Sequence, residues 1–281
     1  MHLSSLLLLS ISLATTASAG VPSKRQIGFG FDRANILRLL QGGPSTLPPP
    51  PPPNNLTPAP NPNTSCPPLQ IFGARETTAP PGFGTAGTTI NLILASNPGA
   101  AATAIEYPAC GGQAFCGGID YASSAKAGTL AVAKAVNDFN AACPASMIVL
   151  VGYSQGGQVS DNAFCGGGDA NIGLAEGEVG SEINEAARER VVAAIFMGSP
   201  RFTANVGVGA NVGSCTAQGF APRPAGFVCP GLDKVQSYCD AADPFCCDGD
   251  DQAVHQGYGE EFGEAALSFV NGKIAAASAG Q

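Results

Sequence analysis

The sequence predicts an α/β protein, a three-layer sandwich in which helices cover both faces of a central, mostly parallel five-stranded sheet. From Cys66 to about Ser278, roughly 210 residues, apolar runs alternate with segments of helical character, and that length suits one α/β domain. Two runs, Met147 to Val151 and Val191 to Met197, are apolar without interruption, as strands are when both sheet faces are buried. The residues able to do chemistry follow such runs, and ligands of open parallel sheets bind beyond the carboxyl ends of the strands.

Residues 1–19 run from Met1 through Leu6-Leu7-Leu8-Leu9 to Ala17-Ser18-Ala19, the pattern of a secretory signal peptide with a small-x-small cleavage site, although its start carries His2 and no Lys or Arg. No segment reaches the roughly 20 apolar residues of a membrane span, so a secreted, extracellular protein with no membrane partner is expected. Residues 20–43 read as a propeptide or N-terminal extension, with a dibasic processing site at Lys24-Arg25 and an apolar pattern at Ile36, Leu37, Leu39 and Leu40. Residues 44–64 form a proline-rich linker, with Pro48 to Pro53 unbroken, which favours extended polyproline II and packs no core. Glycosylation sequons begin at Asn55 and Asn63. The catalytic domain is expected over 65–281.

Within that domain the strand candidates are Leu69 to Phe72, Ala104 to Tyr107, Met147 to Val151, Val191 to Met197 and Lys234 to Tyr238. Helix candidates are Thr88 to Ala95, Ser124 to Ala142, Gln155 to Phe164, Ile183 to Arg190 and Glu260 to Ala277. The formal charge is -8, with 13 Lys and Arg thinly spread, so there is no basic stripe for a phosphate backbone and no nucleic-acid partner is expected. All ten cysteines follow the leader, an even number in an oxidising compartment, and five disulfides are expected. A zinc site would want His or paired Cys-x-x-Cys ligands, which are missing, so neither metal nor cofactor is expected.

Gly152-Tyr153-Ser154-Gln155-Gly156 is a Gly-x-Ser-x-Gly pentapeptide lying between a buried strand and a helix, the context of a nucleophile elbow. Gly152 and Gly156 lack the Cβ atoms that would collide where strand and helix approach, leaving Ser154 raised at the sheet edge. After the leader the chain holds one histidine, His255, so a serine nucleophile has a single candidate base. His255 is expected in a loop, Ala253 to Gly259, before the terminal helix. An ordinary imidazole titrates near pH 6.5, so activity is expected to rise with pH around 6 to 7.

The base needs a carboxylate to hold its tautomer, and six aspartates between Asp233 and Asp251 compete. Asp243 is favoured because it lies just after a strand in a short loop flanked by Cys239 and Cys246, stiff if those two are joined. Asp248, Asp250 and Asp251 read as a solvated acidic turn, since they lack the spacing and distal Glu of an EF-hand. The Gln155 N–H, next to the nucleophile, is placed to donate to an oxyanion. A second donor is expected from Gly73 to Thr78, among which the residues themselves do not choose. Phe245 suits two roles equally, a wall of the acyl pocket or a core side chain.

Phe72 to Thr78, Tyr107 to Gly112, Leu150 to Gly157, Arg223 to Phe227, Ser237 to Asp240 and His255 to Gly259 together resemble the blocks of the fungal secreted esterases related to cutinase, within them the acetylxylan esterases, a group with a cutinase-like α/β-hydrolase fold. The resemblance implies Ser154, Asp243 and His255 as the catalytic triad and Thr77 with Gln155 as the oxyanion hole. It also implies the bridges Cys66–Cys143, Cys110–Cys116, Cys239–Cys246, Cys165–Cys229 and Cys215–Cys247. Relative to the group, the chain adds a proline-rich extension, and it is expected to carry no C-terminal cellulose-binding module. A secreted monomer acting on acetylated plant cell-wall polysaccharide is expected; the alternatives are a cutinase acting on cutin polyester and a non-catalytic wall-binding protein.

Overall fold

Side chains of β3 (Met147–Tyr153) point alternately into two cores, and this alternation sets the layers of the protein, seen in a computed structural model. Ile148 and Leu150 face one side, where they meet Val132, Val136 and Phe139 of α2 (Tyr121–Ala142) and Val159 and Phe164 of α3 (Gln155–Cys165). Val149, Val151 and Tyr153 face the other, against Ile90 and Ile93 of α1 (Gly87–Ser96), Tyr258 of α5 (Gln252–Glu261), and Ala266 and Val270 of α6 (Gly263–Ala279). A short helix, α4 (Glu185–Arg190), leads into β4 (Val191–Met197), which is buried along its whole length as its continuous apolar sequence requires.

The structure describes residues 66–204 and 210–279. The expected leader, the extension with Lys24-Arg25, the linker and the sequons at Asn55 and Asn63 lie outside the described residues.

The sheet adds β1 (Leu69–Ala74), β2 (Ala101–Ala104), β5 (Asn211–Val212) and β6 (Val235–Tyr238), in the order β2-β1-β3-β4-β6-β5, every pairing parallel. It has six strands where the sequence predicts five. The additional strand, β5, is two residues on the outer edge of β6, too short to show any alternation. The second strand also lies earlier than Ala104 to Tyr107. Past Ile105, the carbonyls of Ile105 and Tyr107 accept from the Arg75 guanidinium, so these residues form an arm around a buried cation rather than extending the ladder.

Caps explain two further differences. α2 begins at Tyr121 rather than Ser124 because Asp120 takes the Ser123 N–H at 2.7 Å. His255 lies in a helix, not in the expected loop: Asp251 accepts from Ala253 N at 2.9 Å and starts α5 at Gln252. The glycines that suggest a loop there have another cause in Gly259, where a Cβ would stand 3.1 Å from Thr88 Cβ as α5 passes α1.

The bridges Cys66–Cys143, Cys110–Cys116, Cys165–Cys229, Cys215–Cys247 and Cys239–Cys246 are all formed. Among the described residues no helix is long and apolar enough to cross a membrane. Cys66–Cys143 ties the start of the domain to the end of α2 across 77 residues. Replacing both cysteines with serine is expected to lower unfolding stability in urea by about 2–5 kcal/mol.

Candidate active site

The carboxyl ends of β3 and β6, with helix α5, converge on one place. β3 ends at Tyr153, and Ser154 turns the chain into α3 with φ 52° and ψ -118°. That conformation costs a residue with a Cβ about 1–3 kcal/mol, and the surroundings enforce it. Ser154 N donates to Met197 O at 2.8 Å, and Ser154 O accepts from Gln158 N at 3.0 Å. A Cβ on Gly152 would lie 2.3 Å from Gly156 O, and one on Gly156 would lie 2.0 Å from Ala74 O. Both glycines are therefore fixed by backbone approaching backbone, and the serine side chain has one way out.

It leads to His255. Ser154 Oγ and His255 Nε2 are 2.9 Å apart, and His255 Nδ1 and Asp243 Oδ2 are 2.7 Å apart. The proton positions follow from the carboxylate. An ionised Asp243 can only accept, so Nδ1 carries the proton, Nε2 of the neutral ring is an acceptor, and the Ser154 hydroxyl donates to it. All three residues are buried.

Asp243 is completely enclosed and has four donors around it. Phe245 N and Cys246 N donate to Oδ1 at 2.6 and 3.1 Å, while His255 Nδ1 and the Tyr258 hydroxyl donate to Oδ2 at 2.7 and 2.8 Å. Burial pushes its carboxyl pKa up, but the hydrogen bond and charge of His255 and the two backbone N–H groups outweigh this and hold it below the ordinary carboxylate value. The short loop behind the Cys239–Cys246 bridge supplies those N–H groups. Asp248 and Asp250 are exposed, and Asp251 caps α5.

Thr77 lies in the loop after β1. Its Oγ1 is buried without a hydrogen-bond partner among the described residues, and its methyl is 3.1 Å from where a Gly111 Cβ would be. Gln155, fully buried, is joined to the same region: its Nε2 donates to Cys110 O at 3.0 Å and its Oε1 accepts from Ser124 Oγ at 2.8 Å. Its own N–H opens α3, where a helix provides no carbonyl for it. Among the described residues three non-glycine residues have positive φ, namely Thr78, Ala109 and Ser154, and Thr78 N donates to Ala109 O at 2.7 Å. Backbone strain thus collects around the elbow and the two segments facing it. Arg75 keeps the Thr77 loop in place by donating to the carbonyls of Ala79, Ile105 and Tyr107.

Phe245 is buried with its ring centroid 4.4 Å from that of His255, tilted by 56°. It packs directly against the His255 ring. Sequence reasoning overlooked two tyrosines. The Tyr153 hydroxyl, in the pentapeptide's variable position, donates to His255 O at 2.7 Å. Tyr258 follows His255 by three residues, a spacing that places both on one helix face but carries no meaning once the segment is read as a loop.

A family model described as Cutinase matches residues 65–274. The chain belongs to the cutinase family. It is 60% identical over 210 residues to Cutinase 11 of Verticillium dahliae, covering 75% of this chain and 70% of that one. It is 55% identical to acetylxylan esterase 2 of Talaromyces purpureogenus, covering 75% of this chain and 88% of the relative. Among solved structures, the catalytic core domain of acetyl xylan esterase from Trichoderma reesei superposes with a TM-score of 0.71 at 54% identity, covering 74% of this chain and all of that one. A cutinase-like protein from Cryptococcus sp., 22% identical with a TM-score of 0.56, shares the fold.

The native Asp243 binds a proton less readily than the same residue in the unfolded chain. Its contribution to stability is complete above the unfolded value of about 3.9 and is lost as pH falls through the lower native value. The stability gap between wild type and Asp243→Asn in urea is expected to shrink as pH drops below about 4; a gap that persists undiminished to about pH 2 would show that the carboxylate's charge is not what the loop stabilises.

Proposed function

We propose that the protein is a secreted serine esterase that removes acetyl groups from acetylated xylan through an acyl-enzyme. The observation that carries this is the continuous hydrogen-bonded path from Ser154 Oγ through His255 to Asp243, buried in the setting of a strained elbow. The likeness to acetylxylan esterases at 54–55% identity supports the substrate.

In this reading Ser154 Oγ attacks the acetyl carbonyl while His255 Nε2 takes its proton, and Asp243 stabilises the imidazolium that forms. Gln155 N–H and Thr77, whose buried Oγ1 is left without a partner, donate to the oxyanion of the tetrahedral intermediate. The intermediate collapses as the ester C–O bond breaks and His255 gives the proton to the departing sugar oxygen, which leaves as a hydroxyl. Water, deprotonated by the same nitrogen, then attacks the acetyl-serine, releasing acetate and restoring the hydroxyl. No step calls for a metal or a cofactor, and the enzyme acts as a monomer. Phe115, 75% exposed on the loop closed by Cys110–Cys116, whose Cys110 carbonyl accepts from Gln155 Nε2, offers an apolar surface for the polymer.

Cutin hydrolysis is the second reading, favoured by the 60% identity to Cutinase 11. The acyl group separates the two. Phe245, packed at a tilt against the His255 ring, narrows the acyl side in our reading. With p-nitrophenyl esters, acetate is expected to outrun butyrate and longer chains, and Phe245→Ala to reduce that preference. Ser154→Ala should lose about 10³-fold or more in kcat. Preference for long chains assigns the protein to cutin, and hydrolysis that survives Ser154→Ala removes the serine mechanism altogether.

A further inference from the structure

The oxygen of Asp243 that receives the imidazole proton also receives a second one. Tyr258 Oη is 2.8 Å from Asp243 Oδ2, and Asp240 N donates to that phenol oxygen at 2.9 Å. A phenol has one proton, and an ionised carboxylate accepts only, so the Tyr258 hydroxyl proton lies on Oδ2 beside that of His255. Burial and the charge of Asp243 both keep the phenol protonated. Tyr258 N in turn approaches the Tyr153 hydroxyl at 3.3 Å, so the strand that carries the nucleophile holds the helix that carries both His255 and Tyr258.

Resting on the esterase reading above, we propose that Tyr258 is a positioning residue of this site: by sharing Oδ2 with His255 it fixes the carboxylate and limits how strongly that carboxylate holds the imidazolium.

The other titratable groups nearby are occupied elsewhere or touch only main chain. The Asp240 carboxylate accepts from Ser214 N and Oγ, both at 2.8 Å, and Glu76 accepts from Thr85 N and Oγ1. The Tyr153 hydroxyl donates to the His255 carbonyl, and Ser154 meets the opposite ring nitrogen. Tyr258 is thus the one phenol among the described residues that bonds the carboxylate itself. A hydrogen bond to Oδ2 withdraws charge that would otherwise face Nδ1, so removing it should let His255 keep its proton to higher pH.

The test uses the full chain, with Tyr258→Phe assayed on p-nitrophenyl acetate across pH and His255 followed by ¹⁵N NMR, which its sequence makes simple because the only other histidine is His2. The expected result is a kcat lower by roughly three- to tenfold with KM little changed, and an imidazole titration and acid limb of kcat/KM that both move to higher pH. Site-specific 3-fluorotyrosine at 258, a stronger donor of the same shape, should move the titration to lower pH and keeps the test alive if the phenylalanine variant does not fold. Tyr238→Phe is the control, since that phenol bonds only to Gln236 and should leave the titration in place. A titration unmoved by either change at 258, or moved equally by Tyr238→Phe, overturns the role of Tyr258. Adding Ser154→Ala separates the two claims: retained hydrolysis overturns the serine mechanism on which the esterase reading is built, while the NMR titration still reports on Tyr258.

Discussion

The His255 imidazole joins parts of the chain that are 101 residues apart in sequence, and most of the structure around it serves to keep both of its nitrogens occupied by the right partner. One nitrogen needs a carboxylate that stays ionised although buried; the other needs a hydroxyl brought within 2.9 Å. The first demand is met by a bridged loop whose backbone N–H groups turn toward Asp243. The second is met by a turn so tight that the serine adopts a positive φ. A free carboxylate in an apolar interior would take up a proton and release the imidazole, and a relaxed turn would swing the hydroxyl away. Four donors around one carboxylate and glycines pressed against backbone are the local solutions.

Strain and enclosure reinforce each other here. The positive φ of Ser154, Thr78 and Ala109 would not persist on a mobile surface, and each lies where neighbouring segments hold it. Arg75, donating to the carbonyls of Ala79, Ile105 and Tyr107, ties the loop that carries Thr77 to the segment that follows β2. Thr77 Oγ1 has no partner among the described residues. A buried hydroxyl with unused bonding capacity is costly in an ordinary core. In the proposed reaction that unused capacity is offered to the oxyanion.

Much of this was legible in the residues. The uninterrupted apolar runs of β3 and β4 marked a two-sided sheet, and β4 runs over the same residues that its sequence predicts. The pentapeptide was readable because its glycines have a geometric reason that the contacts of Gly152 and Gly156 with backbone now make explicit. What escaped was tertiary in origin. β5 is two residues held by β6, with no pattern of its own. The helix bearing His255 depends on an Asp251 cap and contains a glycine, Gly259, that packs closely on α1, so its sequence resembles a loop. That single misreading hid Tyr258, whose three-residue offset from His255 has meaning only on a helix. The unpartnered Thr77 hydroxyl has no sequence signature; only the resemblance to fungal esterases singled it out.

The central claim is that Ser154 is made nucleophilic by His255, and the most direct test is covalent. Brief treatment with diethyl p-nitrophenyl phosphate, followed by mass spectrometry of the intact chain and its peptides, should find one diethylphosphoryl group, on Ser154, forming in step with the loss of esterase activity and failing to form in His255→Ala. A modification at another residue that abolishes activity, or a Ser154 equally reactive without His255, would contradict the account.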